Sequence, residues 1–145
     1  MNISKKSRYA ARALVTLGYL YAKKKRPIQL KGISKPEGIP LRYLENIFSQ
    51  LSKAGIIASV KGKGGGFSLA RDPESISMAE VVQLLENPMN GIECIPTPGK
   101  CGKSAECVTR RMWMDFSANI RDFFGKITLK SLIDSFGRGT PMYYI

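Results

Sequence analysis

Histidine is missing from this chain altogether. Chemistry that leans on an imidazole is thereby excluded: a Ser-His-Asp triad, a histidine zinc site, a histidine general base. Cysteine is scarce, with three in 145 residues. Three thiols cannot all pair within one chain, which points to a reducing compartment and to free thiols or a metal site. No apolar run reaches the roughly 18 residues that a membrane-spanning helix needs. Arg12 interrupts the N-terminal apolar stretch, which argues against a secretory signal. The expectation is a cytoplasmic protein with no membrane partner. Hydrophobic residues make up 43% of the chain, which excludes a disordered, collagen-like or disulfide-scaffold composition. A chain this long can bury roughly 70% of its unfolded surface and needs no disulfide to fold.

Acids are scarce where bases are plentiful. Residues 1–72 carry fifteen Lys and Arg against Glu37, Glu45 and Asp72, while residues 73–145 carry eight of each sign. The whole formal charge of +12 therefore sits in the N-terminal half. A field segregated in this way suits a polyanion, either nucleic acid or an acidic membrane, and the run Lys23-Lys24-Lys25-Arg26 would serve both. No acid, base or nucleophile set stands out, so the chain does not read as an enzyme.

Apolar residues recur at three and four from Ser4 to Ala22, predicting an amphipathic helix that the basic run and Pro27 end. A short helix follows over 30–35, before Pro36 and Gly38 break the chain. Pro40 suits a first helical position, with Leu44, Ile47, Phe48 and Leu51 facing the core and Gly55 as the stop. Residues 56–61 and 67–70 read as two strands around the glycine-rich tip Gly62 to Gly66. Ser77 to Glu80 has capping-box spacing for a helix over 77–85. Residues 87–103 show no periodicity. A long amphipathic helix is predicted over 104–124, then a short one over 129–136 capped by Thr128, then a loose tail from 137. Three helices followed by a hairpin is the order of a winged helix-turn-helix. The fold expected is mainly α with a small β-ribbon. Residues 1–86 form the DNA-binding domain, 87–107 a cysteine loop, 104–136 a long helix with its short successor, and 137–145 a tail.

In such folds the second helix of the motif enters the major groove, and its first side chains meet base edges. Here these are Pro40, Leu41, Arg42, Tyr43 and Glu45. Arg42 can grip guanine or a phosphate, and Glu45 can accept from cytosine N4. At the hairpin tip, Gly64 and its neighbours let backbone approach DNA while Lys61 and Lys63 supply charge. Cys94, Cys101 and Cys107 are spaced too loosely for a usual zinc site. Iron–sulfur ligation, free thiols and a redox sensor tuned by Lys100 and Lys103 all fit that spacing.

Several segments resemble one family in order along residues 1–135. They are Arg8-Tyr9-Ala10, Gly38 to Glu45, the wing Gly64 to Leu69, the three cysteines, Trp113 and Ile127-Thr128-Leu129. The family is that of bacterial winged-helix regulators containing the iron–sulfur cluster regulator IscR and the nitric-oxide sensor NsrR. The resemblance implies a homodimeric transcription regulator whose helix 104–124 crosses its partner. Helix 40–54 would lie in the major groove, Lys61 would reach the minor groove, and Arg8 would join the DNA-facing set. A two-fold dimer would read palindromic double-stranded DNA. Cys94, Cys101 and Cys107 would hold an iron–sulfur cluster, 2Fe–2S in preference to 4Fe–4S, that controls binding. Two family donors are replaced here. Arg110 stands where IscR-like members use histidine, and Arg8 where NsrR-like members use aspartate. Glu93, Ser104, Glu106, Asp115 or an exogenous thiol would complete the set. The alternative is a cluster-free regulator of the same fold that senses thiol oxidation or a partner protein.

Overall fold

The computed structural model describes residues 3–86, 92 and 94–139. A central helix, α1 (Lys5–Lys24), starts where the Ser4 hydroxyl accepts from the Ser7 N–H. That bond satisfies one of the orphan donors of the first turn. Ala10, Ala13, Leu14 and Leu17 are fully buried at helical spacing. Gly18 lies so close to Ile133 that an added Cβ would meet that side chain, and this lets the last helix dock. Lys25 ends α1 in the left-handed conformation (φ 53°), its N–H donating to the Tyr21 carbonyl.

Helices α2 (Lys31–Glu37) and α3 (Leu41–Lys53) form the helix-turn-helix. Pro36 lies inside α2 instead of breaking it, because one missing N–H near the end of a short helix forfeits only a single bond. The break falls at Gly38 (φ 64°). Pro40 is the N-cap of α3, not its first turn, with an extended ψ of 131° and its carbonyl accepting from the Leu44 N–H. Leu44, Ile47, Phe48 and Leu51 of α3 are fully buried, as their spacing predicts.

The wing consists of β1 (Ile57–Val60) and β2 (Gly66–Leu69), antiparallel, with Ile57 opposite Leu69 and Val60 opposite Gly66. Ile28, between α1 and α2, exchanges two 2.8 Å backbone hydrogen bonds with Phe67, so the turn before α2 is stitched to the wing. Phe67 also meets Phe48 edge-on at 5.1 Å, which ties the wing to α3.

Helix α4 (Met78–Leu85) has the predicted cap, with Ser77 Oγ accepting from the Glu80 N–H. Ser77 pairs with Thr128 in a backbone bridge, joining α4 to α6 (Leu129–Gly137). Thr128 caps α6 through the Ser131 N–H. Helix α5 runs Arg110–Gly125, starting six residues later than the expected 104–124. Ser104, Glu106 and Arg110 donate their N–H groups three residues back, to Cys101, Lys103 and Cys107, so this stretch coils into separate turns. The expected tail begins where α6 ends, and residues 140–145 lie outside those described, as do 87–91 and 93.

Candidate nucleic-acid interface

Burial of Leu44, Ile47, Phe48 and Leu51 turns the opposite side of α3 to solvent. Arg42, Glu45, Asn46 and Ser49 share that outward side, and all are exposed. Of the expected contact residues, Pro40, Arg42, Tyr43 and Glu45 are exposed, and Leu41 is half-buried. A guanidinium, a carboxylate and an amide thus stand in a row on a helix whose inner side is anchored in the core. That is the arrangement by which a helix presents donors and acceptors to base edges.

Two contacts fix α3 against α1, and a further hydrogen bond extends them along α3. Tyr9 and Tyr43 meet edge-on with ring centroids 5.7 Å apart. Lys6 Nζ donates to Gln50 Oε1 at 2.8 Å, and Gln50 Nε2 donates to Asn46 Oδ1 at 2.8 Å. Asn46 therefore keeps its amide N–H groups for an outside acceptor. Arg12 pairs with Glu37 at 2.9 Å and also donates to the Glu37 carbonyl, holding the end of α2. Asn46, Gln50 and Lys6 were not legible as site residues from sequence. Their only signal there was polarity on the side of α3 away from the apolar stripe.

On the wing, Lys61, Lys63 and Gly64 are exposed. Gly66 (φ 151°) leaves no space for a Cβ, which would lie 2.6 Å from the backbone of Ile28. Arg8 is exposed on the first turns of α1.

The cysteine loop is arranged differently from the expectation. Cys94 and Cys101 are half-buried and Cys107 is exposed. Three thiols without histidine have the right donor chemistry for an iron–sulfur cluster. Among the described residues, however, no three of His, Cys, Asp and Glu converge where they could hold a metal ion. Within one chain as it stands, the three sulfurs lie apart. Of the expected fourth donors, Glu93 lies outside the described residues, Ser104 is half-buried and Glu106 is exposed. Asp115 faces Arg111 at 3.8 Å. Arg110, where a histidine ligand would stand, has its Nε buried without a hydrogen-bond partner. Hydrogen bonds from the hydroxyl and N–H of Thr109 hold the Cys107 thiol below its ordinary pKa, against a smaller opposing effect of burial.

Three helices, a two-strand wing and an exposed, braced α3 define a winged helix-turn-helix protein of the DNA-binding class. Residues 3–135 match the Rrf2 family, described as iron-dependent transcriptional regulators, and the chain belongs to that family. It is 38% identical over 133 residues to the HTH-type transcriptional regulator IscR of Vibrio campbellii, covering 92% of this chain and 77% of that one. Its structure is similar to that of T. potens IscR, with a TM-score of 0.75, 25% identity and coverage of 99% and 94%. It is also similar to Staphylococcus aureus CymR in an oxidized form, with a TM-score of 0.69, 31% identity and coverage of 92% and 96%. The family and the Vibrio relative are described as transcriptional regulators, not enzymes. Among the described residues no helix is long and apolar enough to cross a membrane.

Proposed function

We propose that this transcriptional regulator works as a homodimer on a palindromic duplex operator, and that an iron–sulfur cluster at Cys94, Cys101 and Cys107 controls its grip. The observation that carries the DNA reading is the outward face of α3, where Arg42, Glu45 and Asn46 stand exposed over a fully buried inner face. The +12 charge supplies affinity for any duplex, and these side chains supply the choice of sequence. Lys61, Lys63 and Gly64 carry the wing contact, and Arg8 reaches the backbone from α1. Cluster control is supported by the three thiols of one loop and by the iron dependence in the family's description, and the type we propose is 2Fe–2S. Loading requires the loop to bring its sulfurs together.

The test is purification without oxygen, with visible spectra and iron and sulfide assays, beside Cys→Ala variants at 94, 101 and 107. The expected result is a brown, sulfide-containing protein that loses its colour with any one cysteine. A protein that stays colourless after reconstitution overturns the cluster. On DNA, Arg42→Ala should relax the preference at one base-pair position by about 1–3 kcal/mol. Lys61→Ala should weaken all duplexes alike and lower the salt slope by about one.

A second reading is favoured by the separation of the sulfurs and by the exposed, acidified thiol of Cys107. In it, a peroxide oxidises the Cys107 thiolate to sulfenic acid and is itself reduced to hydroxide. It predicts a colourless protein whose duplex affinity changes with peroxide, and a Cys107→Ala variant that does not respond.

A further inference from the structure

A cleft of about 300 Å³ opens between the wing tip and the turn from α1 to α2, with Lys24, Arg26, Gln29, Gly32, Gly64 and Gly65 in its lining. The backbone explains why only some members of the basic run reach it. Lys25 adopts the left-handed conformation at the end of α1, and its neighbours diverge there. Lys23 turns back, its ammonium 4.6 Å from the centre of the Tyr19 ring. Lys24 and Arg26, either side of the kink, both line the cleft. Pro27 and the Ile28–Phe67 bridge then fix the chain against the wing.

The lining includes no Asp or Glu, and neither Lys24 nor Arg26 has an ion-pair partner among the described residues. The wing side is glycine backbone, so a bulky group can approach closely. Two unneutralised cations facing a wall without side chains form a site for an oxyanion. Both cations are solvent-exposed, so a lone small anion would gain little there over its hydration. A polyanion held alongside by Lys61 and Lys63 gains more, because each neutralised phosphate releases condensed counterions.

We propose that Lys24 and Arg26 clamp a backbone phosphate of duplex DNA on the flank of the wing, outside the base-reading face of α3. This clamp rests on the duplex-binding reading above. It carries no base information, so it strengthens binding on every sequence.

The test uses full-length protein with two duplexes of one length, one selected from a random pool by the wild-type protein and one unrelated. Lys24→Ala/Arg26→Ala should lower the slope of log affinity against log salt by about 0.9 per lost phosphate contact in each protomer. The loss should be equal on both duplexes and leave the discrimination between them unchanged. Lys24→Arg/Arg26→Lys, which keeps both charges, should retain the wild-type slope. Lys25→Gln, outside the lining, should leave it nearly unchanged. An unchanged slope in the alanine variant overturns the clamp while the DNA reading stands. Saturable binding of inorganic phosphate that this variant abolishes, with an unchanged slope, overturns it in favour of a free anion. Failure of the wild type to bind either duplex overturns the DNA reading itself, and the clamp with it.

Discussion

Tyr43 at the start of α3 meets Tyr9 of α1 edge-on, with ring planes at 89°. The guanidinium of Arg12 lies 5.9 Å from the same Tyr9 ring and pairs with Glu37 at the end of α2. One aromatic side chain thus braces α3 and adjoins the ion pair that holds the end of α2. An edge-to-face pair is worth about 0.5–1.5 kcal/mol beyond its buried area. Tyr43→Ala should lower the thermal midpoint by about 2–4 °C per kcal/mol lost. Its duplex affinity should fall further than that stability loss accounts for. Tyr43→Phe keeps the ring and should match the wild type in thermal unfolding; a selective loss of duplex affinity in this variant would assign the hydroxyl a contact with DNA.

The Glu86 carboxylate closes α4 onto α1, accepting from the Ser4 N–H and the Ser7 hydroxyl at 2.7 Å each. Burial pushes its pKa upward, but the two serines and the charge of Lys6 outweigh burial and hold it below 4.5. A carboxylate with a depressed folded pKa contributes stability that is complete above its unfolded value. That contribution disappears as the pH falls through the lowered one. Glu86→Gln should cost about 1 kcal/mol at neutral pH. Chemical denaturation of both proteins from pH 7 to pH 3 should show the gap closing below 4.5. A gap independent of pH would mean that packing, not charge, is what Glu86 contributes.

How much of this was legible beforehand depends on which interactions are local. α1 and α3 follow from an apolar period of 3.6, the wing from two strand-forming runs around a glycine-rich tip, and Ser77 and Thr128 cap as their spacing predicts. α5 starts at Arg110 and not at 104 because the Ser104, Glu106 and Arg110 N–H groups bond three residues back, a local choice that the apolar spacing downstream does not encode. Pro36 reads as a stop in the sequence, but α2 is only seven residues long and loses a single hydrogen bond to it. The Lys6–Gln50 hydrogen bond joins residues 44 apart, a distance that no local pattern encodes. Cysteine spacing named the donors, but whether three sulfurs meet depends on the path of the loop between them.

Gly66 is where wing geometry and stability are most tightly joined. A Cβ there would lie 2.6 Å from the carbonyl carbon and oxygen of Ile28, and backbone cannot swing aside as a side chain can. Gly66→Ala must therefore separate Ile28 from Phe67 and break two backbone hydrogen bonds. We expect a loss of about 2 kcal/mol or more, within the range of strained or broken backbone pairs. Amide exchange should quicken at Ile28 and Phe67, both of whose N–H groups donate in the bridge. Wild-type protection at those two amides would show that the strand pair can shift as a unit to make room.

Helix α5 packs on α4 along one stripe and carries a second that nothing among the described residues covers. Met112, Phe116 and Phe123 recur along that outer stripe and are 52%, 38% and 56% exposed. A partner's α5 would bury these residues, and the resulting two-fold pair would hold two copies of α3 for two half-sites. Phe116→Glu/Phe123→Glu places two like charges on each side of that contact and should yield a monomer by sedimentation at micromolar concentration. Linking two binding units raises avidity by about 100-fold or more, so affinity for a two-half-site duplex should fall by that order. Affinity for an isolated half-site should not change, because Arg42, Glu45 and the wing belong to one chain. A variant that sediments as a dimer, or one that weakens on the half-site equally, would place the dimer contact elsewhere.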